Sequence, residues 1–321
     1  MTLAQAKEGV ELLRVHALVD SKVTSQTKAG RPFLRIVLKD QTAQIKCVLW
    51  DYNPERPLKI IEGSVYTFDI LIEAYNGALQ GIVLSFSGSD KEPKDFAKTT
   101  PFDIKAMWKD LSTLADSFTE PLTKFVIKKI LFDNPEFSKA VQTAPAARGV
   151  HNAWYGGLLE HVWSLCQIAR PVLAHYKKNY FINLSTDKVY FGLILHDAGK
   201  AFEYDYSTPA FRSSPVGVLT NHIVLGPAWV YEAANQFDGP RPANFELERA
   251  HLMHLLASHH GRLDWGSPVK PSTVEAVLVH HLDNLDAKVL HAHDCIYGKA
   301  GSVEGFSEKS YVEQTPFLLQ R

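Results

Sequence analysis

The sequence predicts a two-domain protein, a small all-β domain followed by a larger all-α domain. Between residues 11 and 86, apolar and polar residues alternate and β-branched residues are frequent, which is typical of strands. Beyond residue 101 the apolar residues recur at three-to-four spacing, which indicates helices. Residues 91–101 separate the two patterns with charged residues and two prolines, so we expect a linker there.

The N-terminal domain, residues 1–90, contains five predicted strands. They cover residues 13–19, 33–38, 45–50, 65–72 and 79–86. Turn sequences separate the strands, among them the strong two-residue signal Asn76-Gly77, and residues 54–61 favour one short helix. Five short strands with a helix between the third and the fourth are typical of a small closed barrel of the OB type.

Barrels of this type commonly bind single-stranded nucleic acid by stacking bases on aromatic rings beside a basic groove. The formal net charge of −1 argues against binding by bulk electrostatics, but residues 1–46 carry eight Lys and Arg against four Asp and Glu. Most aromatic rings are expected in the barrel core, with one or two exposed. The candidate stacking and phosphate-binding residues are Phe33, Trp50, Tyr52, Tyr75, Lys28, Arg31 and Arg35.

The helical domain is predicted to span residues 102–295, with a weakly periodic tail at 296–321. Helices are expected over residues 104–115, 121–132, 157–176, 186–195, 216–236, 245–259 and 272–291, with a short one opened by Asn134-Pro135. Asp103 and Thr119 are placed to cap the first two helices.

The cysteines and the hydropathy pattern indicate a cytoplasmic protein. Cys47, Cys166 and Cys295 are far apart and lack metal-binding spacing, which favours a reducing compartment. No apolar run approaches the roughly 20 residues that span a bilayer. The N-terminus MTLAQAKEGVELL also lacks a basic segment followed by an apolar one. Neither membrane insertion nor export is predicted, and a homo-oligomer is left open.

Histidines are concentrated in the helical domain, where thirteen of the fourteen follow residue 150. Five motifs carry most of them: GGLLEH at 156–161, HDAGK at 196–200, LTNHI at 219–223, SHHG at 258–261 and HHLDNLDAK at 280–288. Imidazoles and carboxylates that project inward from several helices build paired-metal sites in helical bundles. A ligand set without thiolate favours Mn, Fe, Co, Ni or Zn in an open catalytic site, and Mg is left open.

Each histidine also has a purely structural interpretation. A single His161 or His222 on an apolar helix face is more often a hydrogen-bonded core residue than a ligand, and His175, His291 and His293 are assigned no role. The joint occurrence of His-Asp before Gly-Lys, of His-His-Gly and of a late Asp between apolar residues favours metal binding over coincidence.

The order of these motifs resembles the HD-domain phosphohydrolase superfamily, and more closely the YhaM-type 3′→5′ exoribonucleases. The closer resemblance covers residues from about 11 to 290. It rests on HNAWYGGLLEH, LILHDAGK, LTNHIVLG, ASHHGRLDWGSPVKP and VLVHHLDNLDAK, together with GRPFLRIVLKDQTAQIKCVLWD in the barrel. Two residues depart from the family pattern. Ala198 stands where Ile is usual, and Asn152 stands where a second His often follows the first.

The resemblance implies an HD-type helical domain that binds two divalent ions, with Mn the expected metal. One ion would be held by His161, His196, Asp197 and Asp283, and Asp197 would bridge to a second ion held by His222, His259 and His260. Asp286 competes with Asp283, and Asp283 is preferred because family members most often ligate through the earlier Asp. Lys200 would neutralise a phosphate oxygen, and His151 or His222 would stabilise charge or protonate the leaving oxygen.

The implied activity is metal-dependent 3′→5′ hydrolysis of single-stranded RNA, with DNA left open, to release 5′-mononucleotides. One alternative keeps the metals and changes the substrate to free or cyclic nucleotides, for which a nucleic-acid-binding barrel has no obvious use. The other is a non-catalytic nucleic-acid-binding protein, which turnover with divalent metal would exclude.

Overall fold

The chain divides into two compact units. The computed structural model describes residues 1–53, 58–96, 98–147, 152–297, 303–310 and 312–319. The first unit comprises Met1–Thr99 together with Asp205–Arg212. The second comprises Thr100–Tyr204 and Ser213–Arg321.

The first unit is a closed five-stranded barrel, which confirms the predicted OB-type architecture. Its strands are β1 (Glu11–Gln26), β2 (Pro32–Lys39), β3 (Gln44–Leu49), β4 (Val65–Tyr75) and β5 (Ala78–Gly88). They are hydrogen-bonded in the order β1-β2-β3-β5-β4, and β1 closes the barrel by pairing with both β2 and β4. The β3–β5 pair is parallel and the other pairs are antiparallel. Register shifts in β1 after Leu12 and after Val19 let this long strand bend between its two neighbours.

Alternation along the strands fills the barrel interior. On β4, Phe68, Ile70 and Ile72 are fully buried, whereas the residues between them are partly exposed. The turn between β4 and β5 is the predicted Asn76-Gly77, and both residues have positive φ (50° and 77°), as a type I′ hairpin requires.

The predicted helix at residues 54–61 is not found in the part that the structure describes. Residues 54–57 lie outside the described residues, and residues 58–61 are not helical. The Tyr66 hydroxyl holds this segment, because it donates to the Lys59 carbonyl at 2.7 Å and accepts from the Ile61 amide at 3.0 Å. Ile60 is buried in the barrel core, so packing and this tyrosine decide the conformation.

The second unit is helical. Its helices are α1 (Ile104–Asp116), α2 (Pro121–Ile127), α3 (Pro135–Thr143), α4 (Gly157–Tyr180), α5 (Thr186–Leu195), α6 (Lys200–Glu203), α7 (Pro215–Asn235), α8 (Phe245–Ala257) and α9 (Val274–Ile296). α2 continues as a wider turn over Lys128–Phe132. At the two ends of the Asp205–Arg212 segment of the first unit, two short strands, β6 (Tyr204–Asp205) and β7 (Arg212–Ser213), form a two-stranded sheet. Within the described ranges, no helix combines the length and the apolar character needed to cross a bilayer.

Side-chain caps fix where the helices begin. Asp103 caps α1 as predicted, and Ser185 and Thr273 cap α5 and α9. The cap predicted at Thr119 is wrong, because Glu120 precedes α2. The Thr119 amide and hydroxyl instead donate to Asp187 Oδ2, at 2.6 and 3.1 Å.

α5 is the central helix of the second unit. It is apolar around most of its circumference, and Val189, Phe191, Leu193 and Ile194 are fully or almost fully buried. A helix of this kind is stable only inside a protein. Its buried position brings the residues that follow Leu195 into the interior of the unit.

Candidate metal centre

α5 ends at a buried pair of potential metal ligands. His196 is the C-cap residue of the helix, and Asp197 begins the tight turn that leads into α6. Both side chains are almost completely buried, with relative exposures of 1% and 3%. Such burial is unusual for a carboxylate unless it is paired or binds a cation.

One group of candidate ligands combines α4, α5 and α9. His161 of α4 and Asp283 of α9 lie beside His196, and one ligand atom from each residue lies within 4.8 Å of the other two. Asp283 Oδ1 is 3.2 Å from His161 Nε2 and 3.6 Å from His196 Nε2. Three residues that are far apart in the sequence therefore point their donor atoms at one position.

A second group consists of His222, His259 and His260, whose ligand atoms also lie within 4.8 Å of one another. His222 follows a break in α7 at Asn221, where φ is 48° and ψ is 173°. The Asn221 side chain accepts from the Ile223 amide at 3.0 Å and restarts the helix. A Cβ on Gly199 would lie 2.7 Å from His222 Cα, so glycine allows α7 to approach the turn after α5.

Asp197 lies between the two groups. Its Oδ2 is 3.4 Å from His196 Nε2 and 4.0 Å from His161 Nε2, whereas its Oδ1 is 3.4 Å from His222 Nε2 and 3.7 Å from His259 Nε2. Each carboxylate oxygen therefore faces a different group. This is the arrangement of a carboxylate that bridges two cations, as in two-metal hydrolytic sites.

Acceptors behind the imidazoles fix which ring nitrogen faces the site. A backbone carbonyl can only accept a hydrogen bond, so an Nδ1 atom that contacts one carries the proton. The Nε2 atom of the same neutral ring then has a lone pair that can bind a metal. His196 Nδ1 donates to the Leu193 carbonyl at 3.0 Å, and His259 Nδ1 donates to the Leu256 carbonyl at 2.6 Å. His260 Nδ1 likewise donates to the Trp265 carbonyl at 2.8 Å. Metal-binding histidines are commonly oriented in this way.

Two carboxylates orient the remaining imidazoles. Asp286 Oδ2 is 2.9 Å from His161 Nδ1, and Asp286 Oδ1 accepts from the Ser164 hydroxyl at 2.8 Å. Glu203 Oε2 accepts from both the His222 Nδ1 and the His222 amide, at 2.6 and 2.8 Å. Burial alone would raise the pKa of Glu203, but these hydrogen bonds from His222 lower it.

Buried polar atoms without partners indicate that the site is built for cations. In the described part of the chain, eight buried side-chain nitrogen and oxygen atoms have no hydrogen-bond partner, and four of them belong to this site: His196 Nε2, His222 Nε2, His259 Nε2 and Asp197 Oδ1. Each such atom costs about 1–3 kcal/mol when it is left unpaired. Nitrogen and oxygen donors that converge on one position suit divalent metals of the Mn-to-Zn series.

Burial and neighbouring charges shift the pKa values of these ligands in opposite directions. Burial lowers the pKa of His259 well below its usual range. Burial also disfavours the charged form of His196, yet the Asp197 and Asp283 carboxylates raise its pKa to about 10. The pKa values of Asp197 and Asp283 are well below their usual range in spite of burial, because Lys200 and the histidines stabilise the anions. Divalent cations would replace the protons that these groups share.

Lys200 lies at the site, and its Nζ is 2.7 Å from Asp197 Oδ2. The structure thus brings together all the residues for which the sequence predicts a role in the helical domain except His151, which lies outside the described residues. Sequence reasoning missed Glu203, Ser164 and His280, whose Nδ1 donates to the His259 carbonyl at 2.8 Å. His280 belongs to a motif that the sequence analysis did identify, whereas Glu203 carries no sequence signal.

The barrel candidates divide into buried and exposed residues. Trp50 and Tyr75 are 48% and 62% exposed, whereas Phe33 and Tyr52 are each 6% exposed. Phe33 is therefore no exposed stacking platform. It shares the outer face of β2 with Arg35, and Trp50 packs on it with ring centroids 5.0 Å apart. Tyr52 belongs to the barrel core.

The three basic candidates are exposed. The Arg35 guanidinium lies 5.4 Å from the Phe33 ring centroid. Arg31 is 3.9 Å from Asp51 in an exposed ion pair, and Lys28 lies in the turn between β1 and β2. Trp50, Phe33 and Arg35 thus form one cluster on the outer face of the barrel.

Known proteins with similar sequences decide the family. A family model described as HD domain matches residues 158–288. The 3′-5′ exoribonuclease YhaM of Geobacillus sp. is 30% identical over 288 residues, which cover 87% of this chain and 83% of that protein. The chain belongs to the YhaM family of HD-domain proteins. The YhaM protein of Bacillus subtilis is also 30% identical, over 85% of this chain and 84% of its own length. Membership in the YhaM family confirms the resemblance found in the motifs and supports a hydrolase of the HD nuclease type.

Among solved structures, the second OB-fold domain of replication protein A from Methanococcus maripaludis matches the chain with 18% identity and a TM-score of 0.23. The match covers 29% of this chain and 98% of that one.

Proposed function

We propose that this YhaM-family protein is a metal-dependent 3′→5′ exonuclease that removes 5′-mononucleotides from single-stranded RNA, with DNA as a second substrate to be tested. The observation that carries the proposal is the position of Asp197, whose two carboxylate oxygens face two separate histidine-containing groups. Curated relatives named 3′-5′ exoribonucleases support the choice of substrate and polarity.

The proposed ligands are His161, His196, Asp197 and Asp283 for one cation and His222, His259 and His260 for the other, with Asp197 shared. Two divalent cations, with Mn²⁺ the expected metal, would supply Lewis-acid activation of water and of the scissile phosphate. The carbonyl and carboxylate oxygens that accept hydrogen bonds from the Nδ1 atoms hold the imidazole rings in place, so that little reorganisation accompanies the reaction.

Lys200 acts as a charge stabiliser in this mechanism. Burial disfavours its ammonium, but Asp197 at 2.7 Å outweighs that effect and raises the pKa of Lys200 above its usual value. A lysine that stays protonated cannot accept a proton, and it neutralises a non-bridging phosphate oxygen instead.

His222 fits a ligand role better than that of a proton donor. Its Nδ1 is hydrogen-bonded to Glu203 and its Nε2 belongs to the second group, so neither nitrogen is directed towards a leaving oxygen. Of the two imidazoles considered for proton donation, His151 is therefore the one that mutagenesis should address.

The barrel would bind the strand and raise the local concentration of its 3′ end at the metals, as tethered modules do. Trp50, which packs on Phe33, is the proposed stacking platform, with Arg35 on the same Phe33 ring as the proposed phosphate contact, and Tyr75 is a second platform. Cys47, Cys166 and Cys295 are free thiols, which fits the cytoplasmic location that we propose.

One experiment tests the proposal. Purified protein is incubated with a 5′-labelled 3′-overhang RNA, its DNA equivalent and a panel of free and cyclic nucleotides, with Mn²⁺ or with a chelator. We expect shortening of the RNA from its 3′ end and release of 5′-mononucleotides with Mn²⁺ only. Turnover of the nucleotide panel alone would favour a small-molecule hydrolase, and no turnover of any substrate with Mn²⁺ would favour a binding protein.

Substitution of the central ligands tests the site. His196→Ala and Asp197→Ala should abolish this turnover while the far-ultraviolet circular dichroism of the helices is retained. Full activity in either folded variant would contradict the ligand assignment. The isolated loss of one partner also leaves buried charge uncompensated, so the thermal midpoint of each variant is measured alongside.

A further inference from the structure

An exposed tryptophan lies directly behind the second ligand group. Trp265 ends a short 3₁₀ turn, Leu263–Trp265, and 45% of its surface is exposed. Its backbone carbonyl accepts the hydrogen bond from His260 Nδ1 at 2.8 Å. The residue that orients one proposed ligand thus also presents a large aromatic ring to solvent.

Two cationic side chains flank this ring. The Arg262 guanidinium lies 5.2 Å from the Trp265 ring centroid, and Lys288 Nζ lies 5.8 Å from it. Lys288 belongs to α9, the helix that carries Asp283. Each cation has a carboxylate partner: the Arg262 guanidinium donates two hydrogen bonds to Asp264, at 3.0 and 2.8 Å, and Lys288 Nζ lies 3.2 Å from Glu313. The side chains of Arg262 and Lys288 are 58% and 40% exposed, so a phosphate can approach both cations from solvent and compete with their carboxylate partners.

The turn is held in one conformation. The Trp265 and Ser267 amides both donate to the Arg262 carbonyl at 3.2 Å, and the Gly266 amide donates to the Leu263 carbonyl at 3.1 Å. Gly266 has φ of 95°, which L side chains rarely adopt, so glycine is required where the chain leaves the turn. A ring on a fixed turn loses little conformational entropy when a ligand binds.

We propose that Trp265 is the stacking platform for the 3′-terminal base of the substrate strand, and that Arg262 and Lys288 bind its flanking phosphates. This inference rests on the nuclease function proposed above and names the subsite that places the last nucleotide at the metals. Base stacking on an aromatic ring tolerates every base, as an exonuclease without sequence preference requires.

The charges around Trp265 favour a nucleotide over a protein partner. The turn sequence Arg262-Leu263-Asp264-Trp265 contains one ion pair, Arg262 with Asp264, and Lys288 with Glu313 adds a second one, with both cations within 6 Å of the ring centroid. The centres of protein interfaces are depleted in charge and enriched in apolar area, whereas single-strand sites combine cations with aromatic rings.

Binding of two oligoribonucleotides tests the subsite. They share a sequence and a 5′ fluorescein, and one of them ends in an abasic 3′ nucleotide. Affinities are measured by fluorescence anisotropy in a chelator, so that no strand is cleaved, for the wild type, Trp265→Ala, Trp265→Phe and Tyr180→Ala. Tyr180 is a matched control, because it is 62% exposed at the far end of α4. It lies about 28 Å along the helix from His161, at 1.5 Å per residue.

We expect Trp265→Ala to bind the normal strand about 5- to 150-fold more weakly, the range found when a stacking aromatic is truncated. It should bind normal and abasic ends equally, whereas the wild type, Trp265→Phe and Tyr180→Ala should prefer the normal end. An unchanged preference in Trp265→Ala would overturn the subsite. So would a wild type that binds both ends equally, or a Trp265→Ala variant whose only change is its oligomeric mass.

The two proposals fail in distinguishable ways. If the wild type prefers the normal 3′ end but does not cleave RNA with Mn²⁺, the stacking subsite is supported and the nuclease function is contradicted. If the wild type cleaves RNA and Trp265→Ala still prefers the normal 3′ end, the nuclease function is supported and the stacking subsite is contradicted.

Discussion

Asp283 and Asp286 lie about one helical turn apart on α9 and contact opposite nitrogens of the same imidazole. Asp283 approaches His161 Nε2, the side that faces the candidate metal position, whereas Asp286 approaches Nδ1 from behind. The geometry therefore supports Asp283 as the ligand and gives Asp286 the task of orienting His161. Both carboxylates are candidate ligands in the sequence, which contains no information on their distances from the His161 nitrogens.

Neutral amide variants should separate the two roles. Asp283→Asn should be nearly inactive at every Mn²⁺ concentration, because a proposed ligand is lost. Asp286→Asn should lose about 10- to 100-fold in activity or metal affinity and recover partly with excess Mn²⁺. A Mn²⁺ titration of nuclease activity measures both, and the reverse order would move the ligand assignment to Asp286.

Glu203 should act on metal binding through His222. Glu203→Gln keeps the shape but replaces a charged acceptor, so we expect Mn²⁺ affinity at the second group to fall about 10- to 100-fold. Equilibrium Mn²⁺ binding followed by electron paramagnetic resonance measures this without turnover. Glu248→Gln serves as the control, because Glu248 pairs with Lys188 at 2.9 Å and contacts none of the proposed ligands. Equal Mn²⁺ affinity in the two variants would remove Glu203 from the site.

At the scale of elements, glycine decides how closely segments approach the centre. Gly261 ends the His259-His260 turn with φ of 78°, and a Cβ there would lie 2.2 Å from His280 Cε1. His280 in turn holds the His259 carbonyl. The position therefore combines an unfavourable backbone conformation with a direct steric conflict.

Gly261→Ala should lower both stability and metal binding. Gly305 has φ of 79° and no atom within 4 Å of its ideal Cβ, so Gly305→Ala isolates the backbone cost, about 1–2 kcal/mol. Gly261→Ala should cost more than that and should also weaken Mn²⁺ binding, because the two histidines shift. Thermal unfolding with and without Mn²⁺ compares the two variants. Equal losses of stability in the two variants would show that the His280 side chain moves aside without disturbing the His259-His260 turn.

The elements show which parts of the structure sequence alone can predict. The His and Asp motifs were recognisable because their chemistry is compressed into a few adjacent residues, and alternation was enough to predict the barrel. The position of Glu203 depends on the break in α7 at Asn221, which no local pattern encodes. Phe33 lies on the outer face of β2 by alternation, yet Trp50 from the end of β3 covers it. Contacts between elements decided both outcomes.

At the scale of the whole molecule, the proposed stacking platform at Trp50 and the proposed metal site belong to different units. Trp50→Ala should weaken binding of single-stranded RNA about 5- to 150-fold by loss of a stacking surface. Leu84→Ala is the matched control, because Leu84 is 51% exposed on β5 and offers no ring. Anisotropy at several salt concentrations measures both, and affinity should fall with salt in either case if phosphates are contacted. Identical RNA affinities of Trp50→Ala and Leu84→Ala would show that the strand does not bind at Trp50.

The proposed ligands belong to five helices or to the turns that follow them, and His161 and Asp283 are 122 residues apart in the chain. Cations held there would act as removable cross-links that only the folded protein can bind. A ligand at 100 times its dissociation constant stabilises by about 2.7 kcal/mol. Mn²⁺ should therefore raise the thermal midpoint and slow proteolysis of the helical unit, and His196→Ala should lose both effects. The lifetime of the protein, and not only its activity, would then follow the supply of metal.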